Sequence, residues 1–158
     1  MKYNEKTIQQ KEHNMVTPEF LKRYEGNPVL SAKDIPYEAV LIFNAGICKY
    51  QGKYVMCFRN DYGLDEEEFR IKEHPVETNI GIALSDDGIH WRRSPEPLIR
   101  NGAPGSLDST HAHKPCVIYH NGTLYHFYCA VRPTETEEER RKFGKEFRCL
   151  TVARSTPF

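Results

Sequence analysis

The side chains of this sequence that could do chemistry are few. The densest group is His111-x-His113-Lys114, with Cys116 two residues on. Two imidazoles and a thiol are metal-ligand types, and with the lysine the same imidazoles make a small cationic patch. Alternate residues of one strand share a face, but no second ligand pair accompanies them, so the pattern predicts no zinc site. Asp108 lies in Gly105-Ser106-Leu107-Asp108-Ser109-Thr110-His111, where it either faces a substrate or closes an Asx-type turn after Pro104-Gly105. Arg59 and Asp61 end an apolar run and read as a recognition pair or as a surface ion pair. Asn44 interrupts another apolar run and is either a ligand contact or a bulge residue before Ala45-Gly46; a polar group inside an apolar strand needs a reason. His126, between Tyr125 and Phe127, reads as packed in a hairpin, and Trp91 as a residue that closes a core.

The elements that position these groups are written twice. Asn44-Ala45-Gly46-Ile47-Cys48-Lys49-Tyr50-Gln51-Gly52 aligns with Lys114-Pro115-Cys116-Val117-Ile118-Tyr119-His120-Asn121-Gly122, and residues 80–85 align with residues 150–155. Gly52 and Gly122, Ala83 and Ala153, Ser85 and Ser155 all stand 70 positions apart. A fixed period marks stacked units. Each unit reads as a hairpin, 40–50 with 54–59 and 115–120 with 124–131, turning at Gln51-Gly52 and Asn121-Gly122. A third strand at 79–85 runs into the reversal Asp86-Asp87-Gly88 and ends near Trp91. The predicted fold is all-β: two blades of a β-propeller, residues 27–100 and 101–158, with a small β-sandwich as the alternative. Residues 1–26 read as a short N-terminal helical segment with Phe20, Leu21 and Tyr24 on its apolar face. The charged runs at 65–68 and 134–145 fall at the same inter-strand place and read as solvated loops or a short helix.

Composition excludes several classes. With 22 basic and 22 acidic residues the chain carries no field that would draw it to nucleic acid or an anionic membrane. No apolar stretch approaches the ~20 residues needed to span a bilayer. The polar N-terminus lacks the apolar core of a secretion signal, which points to the cytoplasm. The five cysteines are odd in number and form no C-x-x-C pair, so they read as small buried hydrophobes in a reduced compartment.

Asn27-Pro28-Val29-Leu30, Val40-Leu41-Ile42-Phe43-Asn44-Ala45-Gly46, Gly52-Lys53-Tyr54-Val55-Met56-Cys57-Phe58-Arg59-Asn60-Asp61 and Asn79-Ile80-Gly81-Ile82-Ala83-Leu84-Ser85-Asp86-Asp87-Gly88-Ile89-His90-Trp91 together resemble the opening blade of the β-mannoside phosphorylases and related glycosidases, glycoside hydrolase family 130. The resemblance covers residues 27–91; the second half is similar only to five-bladed glycosidase propellers in general. It implies a five-bladed propeller with a central sugar pocket, and cleavage of β-mannosidic bonds by phosphate or water. A carboxylic acid then protonates the leaving oxygen while the nucleophile attacks from the opposite face. It implies sugar recognition by Asn44, Arg59 and Asp61. In the second half, Asp108 stands where propeller glycosidases in general bring a carboxylate to the sugar and is the candidate acid, and the patch of His111, His113 and Lys114 is a candidate contact for phosphate or a sugar ring oxygen. Inorganic phosphate is the only co-substrate implied, and no cofactor. The family's Glu-Asp-Pro-Arg motif, whose Asp is the proton donor, is absent; His113-Lys114-Pro115-Cys116 stands at the equivalent place of the repeat. Lysine cannot serve there without a large pKa shift. The expectation is therefore a partial or shortened member acting on an oligosaccharide, its ring completed by further blades or by copies in a homo-oligomer. The alternative is a non-catalytic carbohydrate-binding or assembly module.

Overall fold

The computed structural model describes residues 21–63, 67 and 77–155. A 3-10 turn (Ala32–Asp34) precedes β1 (Leu41–Tyr50), β2 (Lys53–Tyr62), β3 (Glu77–Ser85) and the short β4 (Arg92–Arg93), which form an antiparallel meander. A crossing segment leads to a second meander of β5 (His111–His120), β6 (Thr123–Pro133) and β7 (Glu146–Ser155), with α1 (Glu137–Phe143) between the last two. A single parallel bridge, Thr78 to His111, joins the meanders edge to edge. What holds them is packing of one sheet on the other. Tyr50, Val55, Cys57, Ile80 and Ile82 of the first meet Ala112, Val117, Leu124, Tyr128 and Ala130 of the second in one buried core. A second core closes the far face of the first meander, where Ile35, Met56, Phe58, Ala83 and Trp91 pack together.

The repeat is physical as well as textual. Gln51 and Gly52 have φ of 45° and 79°, and Asn121 and Gly122 have 46° and 79°, the two positive values that a two-residue hairpin turn matching strand twist requires. The inner strands break register at the same place, between Phe43 and Gly46 in β1 and between His113 and Cys116 in β5. Asn44 (φ 51°) and Lys114 (φ 55°) are the left-handed residues of these bulges. At Gly46 the inner strands come into contact: a Cβ there would lie 2.9 Å from Cys116 Cα and 2.9 Å from Pro115 O. Only glycine admits that approach. Downstream, Ser85 Oγ accepts from Gly88 N–H at 2.8 Å and Asp87 Oδ1 accepts from Ile89 and His90 N–H at 2.8 Å each, which fixes the Asp-Asp-Gly reversal.

Several expectations shift. The strands extend further than the apolar pattern indicates, β2 to Tyr62 and β5 back to His111. Polar residues continue the ladder there because its backbone bonds do not depend on side-chain type. The expected N-terminal helix falls mainly on residues outside those described, and over 21–26 the chain makes a turn. The acidic run at 65–68 lies, Glu67 apart, outside the described residues, whereas its counterpart at 134–145 contains α1, capped by Thr136 Oγ1 accepting from Glu139 N–H. Of the five cysteines only Cys57 is fully buried and Cys116 is exposed, because Cys116 lies on the face of β5 turned from the first meander. That face continues through Leu150 and Val152, 78% and 49% exposed, the residues that stand where the buried Ile80 and Ile82 stand in the first unit. Among the described residues no helix is long and apolar enough to cross a membrane.

Candidate functional site

The strand registers bring one row of residues across both meanders. Leu41 pairs with Asp61, Asp61 with Thr78, Thr78 with His111, His111 with Val131, and Val131 with Arg148. The end where β1, β3 and β5 begin therefore gathers Arg59, Asp61, His111 and His113 into one corner. Asp61 is wholly buried, so the pair it makes is no surface ion pair. Arg59 Nε donates to Asp61 Oδ1 at 2.5 Å and its Nη2 to Oδ2 at 3.0 Å, while the guanidinium carbon lies 4.6 Å from the centre of the Phe43 ring. A fork bound at two points and stacked on an aromatic face cannot turn, and among the described residues its remaining N–H groups meet no other acceptor. Burial raises the Asp61 pKa, an effect larger than the lowering by Arg59.

His111 and His113 stand edge to face, ring centres 6.4 Å apart. Each has a buried Nδ1 with no hydrogen-bond partner among the described residues. Burial lowers both pKa values, with nearby Arg59 adding to the effect, and His113 falls to about 4. Both rings are thus neutral at pH 7, which corrects the reading of a three-residue cationic patch. A neutral imidazole offers one donor and one acceptor, suited to a hydroxyl. Cys116 lies beyond the bulge, opposite Phe127, and does not join the histidines. Among the described residues no group of three His, Cys, Asp or Glu side chains is placed to hold a metal.

Of the remaining candidates, Lys114 lies beside the corner, close enough for its charge to act on His113, and Asp108 and His126 are bonded elsewhere. Asn44 and Lys114 are exposed bulge residues on the inner strands, so the bulge reading of Asn44 describes its backbone. Asp108 Oδ2 accepts from Tyr128 O–H at 2.9 Å and Oδ1 lies 3.1 Å from Ser106 Oγ. Gly102 N–H donates to the Asp108 carbonyl at 3.2 Å, so Asp108 pins the crossing segment onto β6. Burial, and then this carboxylate, push the Tyr128 pKa up to about 12. His126 is buried as expected, its Nε2 2.9 Å from Ser155 Oγ and its Nδ1 3.5 Å from Cys57 Sγ across the two sheets. Sequence reading missed Phe43 as the platform for Arg59, and missed Glu146 and Arg148 of β7, whose charges act on His111. The signal lay in the repeat itself. At offset 70, Phe43, Arg59 and Asp61 correspond to His113, Cys129 and Val131, so the charged pair belongs to the first copy alone.

No protein-family model matches this chain, and no curated protein matches it. Solved structures do. A glycoside hydrolase is 29% identical at a TM-score of 0.53, over 87% of this chain and 32% of its own. The β-1,2-mannobiose phosphorylase from Listeria innocua, solved with β-1,2-mannobiose, is 18% identical at a TM-score of 0.51, over 68% and 43%. An N-acetylgalactosamine deacetylase from F. plautii, solved with blood group B trisaccharide, is 15% identical at a TM-score of 0.56, over 71% and 32%. The chain therefore spans a third to less than half of the length of these structures. The expected resemblance holds at the level of architecture: the two meanders are adjacent blades of a glycosidase-type β-propeller.

Proposed function

We propose that this chain forms part of a carbohydrate-active protein, resembling the β-mannoside phosphorylases and glycosidases, that acts on β-linked mannosides or related oligosaccharides by phosphorolysis or hydrolysis. The observation that carries the reading is the corner itself. A guanidinium fixed by buried Asp61 and stacked on Phe43 stands with two neutral imidazoles whose buried Nδ1 atoms lack partners. Buried polar atoms are nearly always bonded, so unpaired ones at such a corner are places for ligand hydroxyls. For a phosphorolytic reaction, the guanidinium of Arg59 and the ammonium of exposed Lys114 supply the cations that phosphate needs. The apolar face through Leu150 and Val152 suits a further blade, of the same polypeptide or another copy.

A second reading, a non-catalytic carbohydrate-binding module, is favoured by how the carboxylates are used. Asp61 is bound at both oxygens by Arg59, and Asp108 is held by Tyr128. Neither is free to protonate a leaving group, the step that glycoside cleavage requires. Titrating the chain with β-1,2-mannobiose, and assaying release of free sugar with and without phosphate, tests both readings. The expected result is saturable binding, weakened at least tenfold by His113→Ala, without turnover by this chain. Turnover abolished by Asp108→Asn would restore Asp108 as the acid; failure to bind the disaccharide would sink the proposal.

A further inference from the structure

We propose that a pocket of about 430 Å³, outside the corner described above, is a second carbohydrate subsite that takes one neutral sugar ring through hydroxyl donors to Glu38, Glu77 and Asn101. It opens between the β2–β3 end of the first blade and the segment crossing to the second. Tyr37, Tyr62 and Pro97 supply apolar walls, and the carboxylates of Glu38 and Glu77 supply acceptors. Glu77 Oε2 accepts from Tyr62 O–H at 2.5 Å and from Asn101 Nδ2 at 3.4 Å, and Glu38 Oε1 accepts from Gly63 N–H at 3.0 Å, so the acceptors are held in place. Asn101 Nδ2 also donates to the Thr110 carbonyl at 2.7 Å, and its Oδ1 is buried with no hydrogen-bond partner among the described residues. An orphan acceptor beside fixed carboxylates calls for a ligand rich in donors, and flat apolar walls suit the C–H face of a sugar ring. The cation of the pocket, Arg100, is paired with Glu96 at 2.8 Å, which argues against an anion.

The second blade shows what the same place looks like when the chain fills it. At offset 70 from Tyr62 and Glu77 stand Arg132 and Phe147. Arg132 donates to Glu139 at 2.6 and 3.0 Å and lies 4.7 Å from the centre of the Phe147 ring, so its polar groups are satisfied within the blade. The first blade carries acceptors there instead.

The inference rests on the carbohydrate reading, and the experiment separates the two. The 15N-labelled chain is titrated with β-1,2-mannobiose and amide shifts are followed. Saturable shifts are expected at Gly63 and Asn101, distinct from those at His111 and His113. Glu38→Gln, which keeps an acceptor for Gly63 N–H, and Glu38→Gln with Glu77→Gln should weaken the pocket set at least tenfold and leave the corner set unchanged. Shifts confined to the corner overturn the subsite and leave the carbohydrate reading standing; shifts at neither place overturn both. Pocket shifts that survive the double variant, or that tetramethylammonium reproduces, overturn the subsite.

Discussion

The two blades share a backbone and differ in what they do with it. Both turn through the same pair of positive φ values and both bulge at the same step of the inner strand. Where the first has Arg59 and Asp61, the second has Cys129 and Val131; where the first has Leu41 and Phe43, the second has His111 and His113. The features that keep the period are the turns, the bulges and the strand alternation. The departures from it include the polar groups buried at one end of the first sheet. In a repeat protein, stability is served by the period, so a costly departure from it points to another demand.

The sharpest way to break this contrast is to remove half of the buried pair. Arg59→Met leaves Asp61 buried without its partner, and should cost about 3–5 kcal/mol in denaturant unfolding at pH 7. The double change Arg59→Cys with Asp61→Val writes the second blade's residues into the first. It should recover most of that loss, because an apolar pair often replaces a buried ion pair without penalty, while sugar binding stays lost. A double variant as unstable as Arg59→Met would show that the pair holds the fold and carries no functional demand.

Gly46 and Cys116 make the next comparison, equivalent in sequence and opposite in surroundings. Gly46→Ala forces a methyl against the Pro115 and Cys116 backbone and should destabilise the chain by about 2 kcal/mol, within the range for overpacked sites. Cys116→Ala, on the exposed face, should stay within about 0.5 kcal/mol. Equal losses would mean that the inner strands do not meet as described.

This pair also shows what was legible. Asn121-Gly122 and Asp86-Asp87-Gly88 announce their turns because the signal is carried by the residues that bend. The 70-residue period and the strand alternation announce the blades. The depth of Asp61 and the charge state of His113 were not legible, since both depend on a neighbouring sheet brought in from far along the chain. Local polarity left Arg59 with Asp61 open between a recognition pair and a surface pair and read the histidines as part of a cationic patch; burial removes the surface pair and the charge on His113. Asp108 was legible as a turn residue, but its partner Tyr128, 20 positions on, was not.

The histidines carry a pH signature that belongs to the second blade. The folded-state pKa of His113 is about 4, below the ordinary value of 6.5, and burial moves His111 and His126 in the same direction. The unfolded chain then binds more protons between these values, so stability should fall as pH drops from about 6.5 towards 4. Asp61, raised by burial, acts with the opposite sign: the folded state binds the extra proton, and stability falls as pH rises through the window above the ordinary carboxylate value. His113→Asn should flatten the acid limb by about 1–2 kcal/mol, the screened part of a shift of this size. An unchanged pH profile in that variant would mean that His113 titrates in the folded chain as it does in the unfolded one.

The smallest effect sharpens the comparison at the bulges. Asn44 and Lys114 occupy the same left-handed conformation, but asparagine tolerates it and lysine does not. Lys114→Gly should therefore stabilise the chain by about 0.5–1 kcal/mol, whereas Asn44→Gly should change it by only a few tenths. The second blade thus bears a strain at Lys114 that a glycine would relieve, at the inner-strand position where the first blade presents an amide. If Lys114→Gly is the more stable protein yet binds β-1,2-mannobiose or phosphate more weakly, the ammonium is held in the strained geometry for the ligand. If binding is unchanged, the bulge is required by the strand and its side chain is incidental.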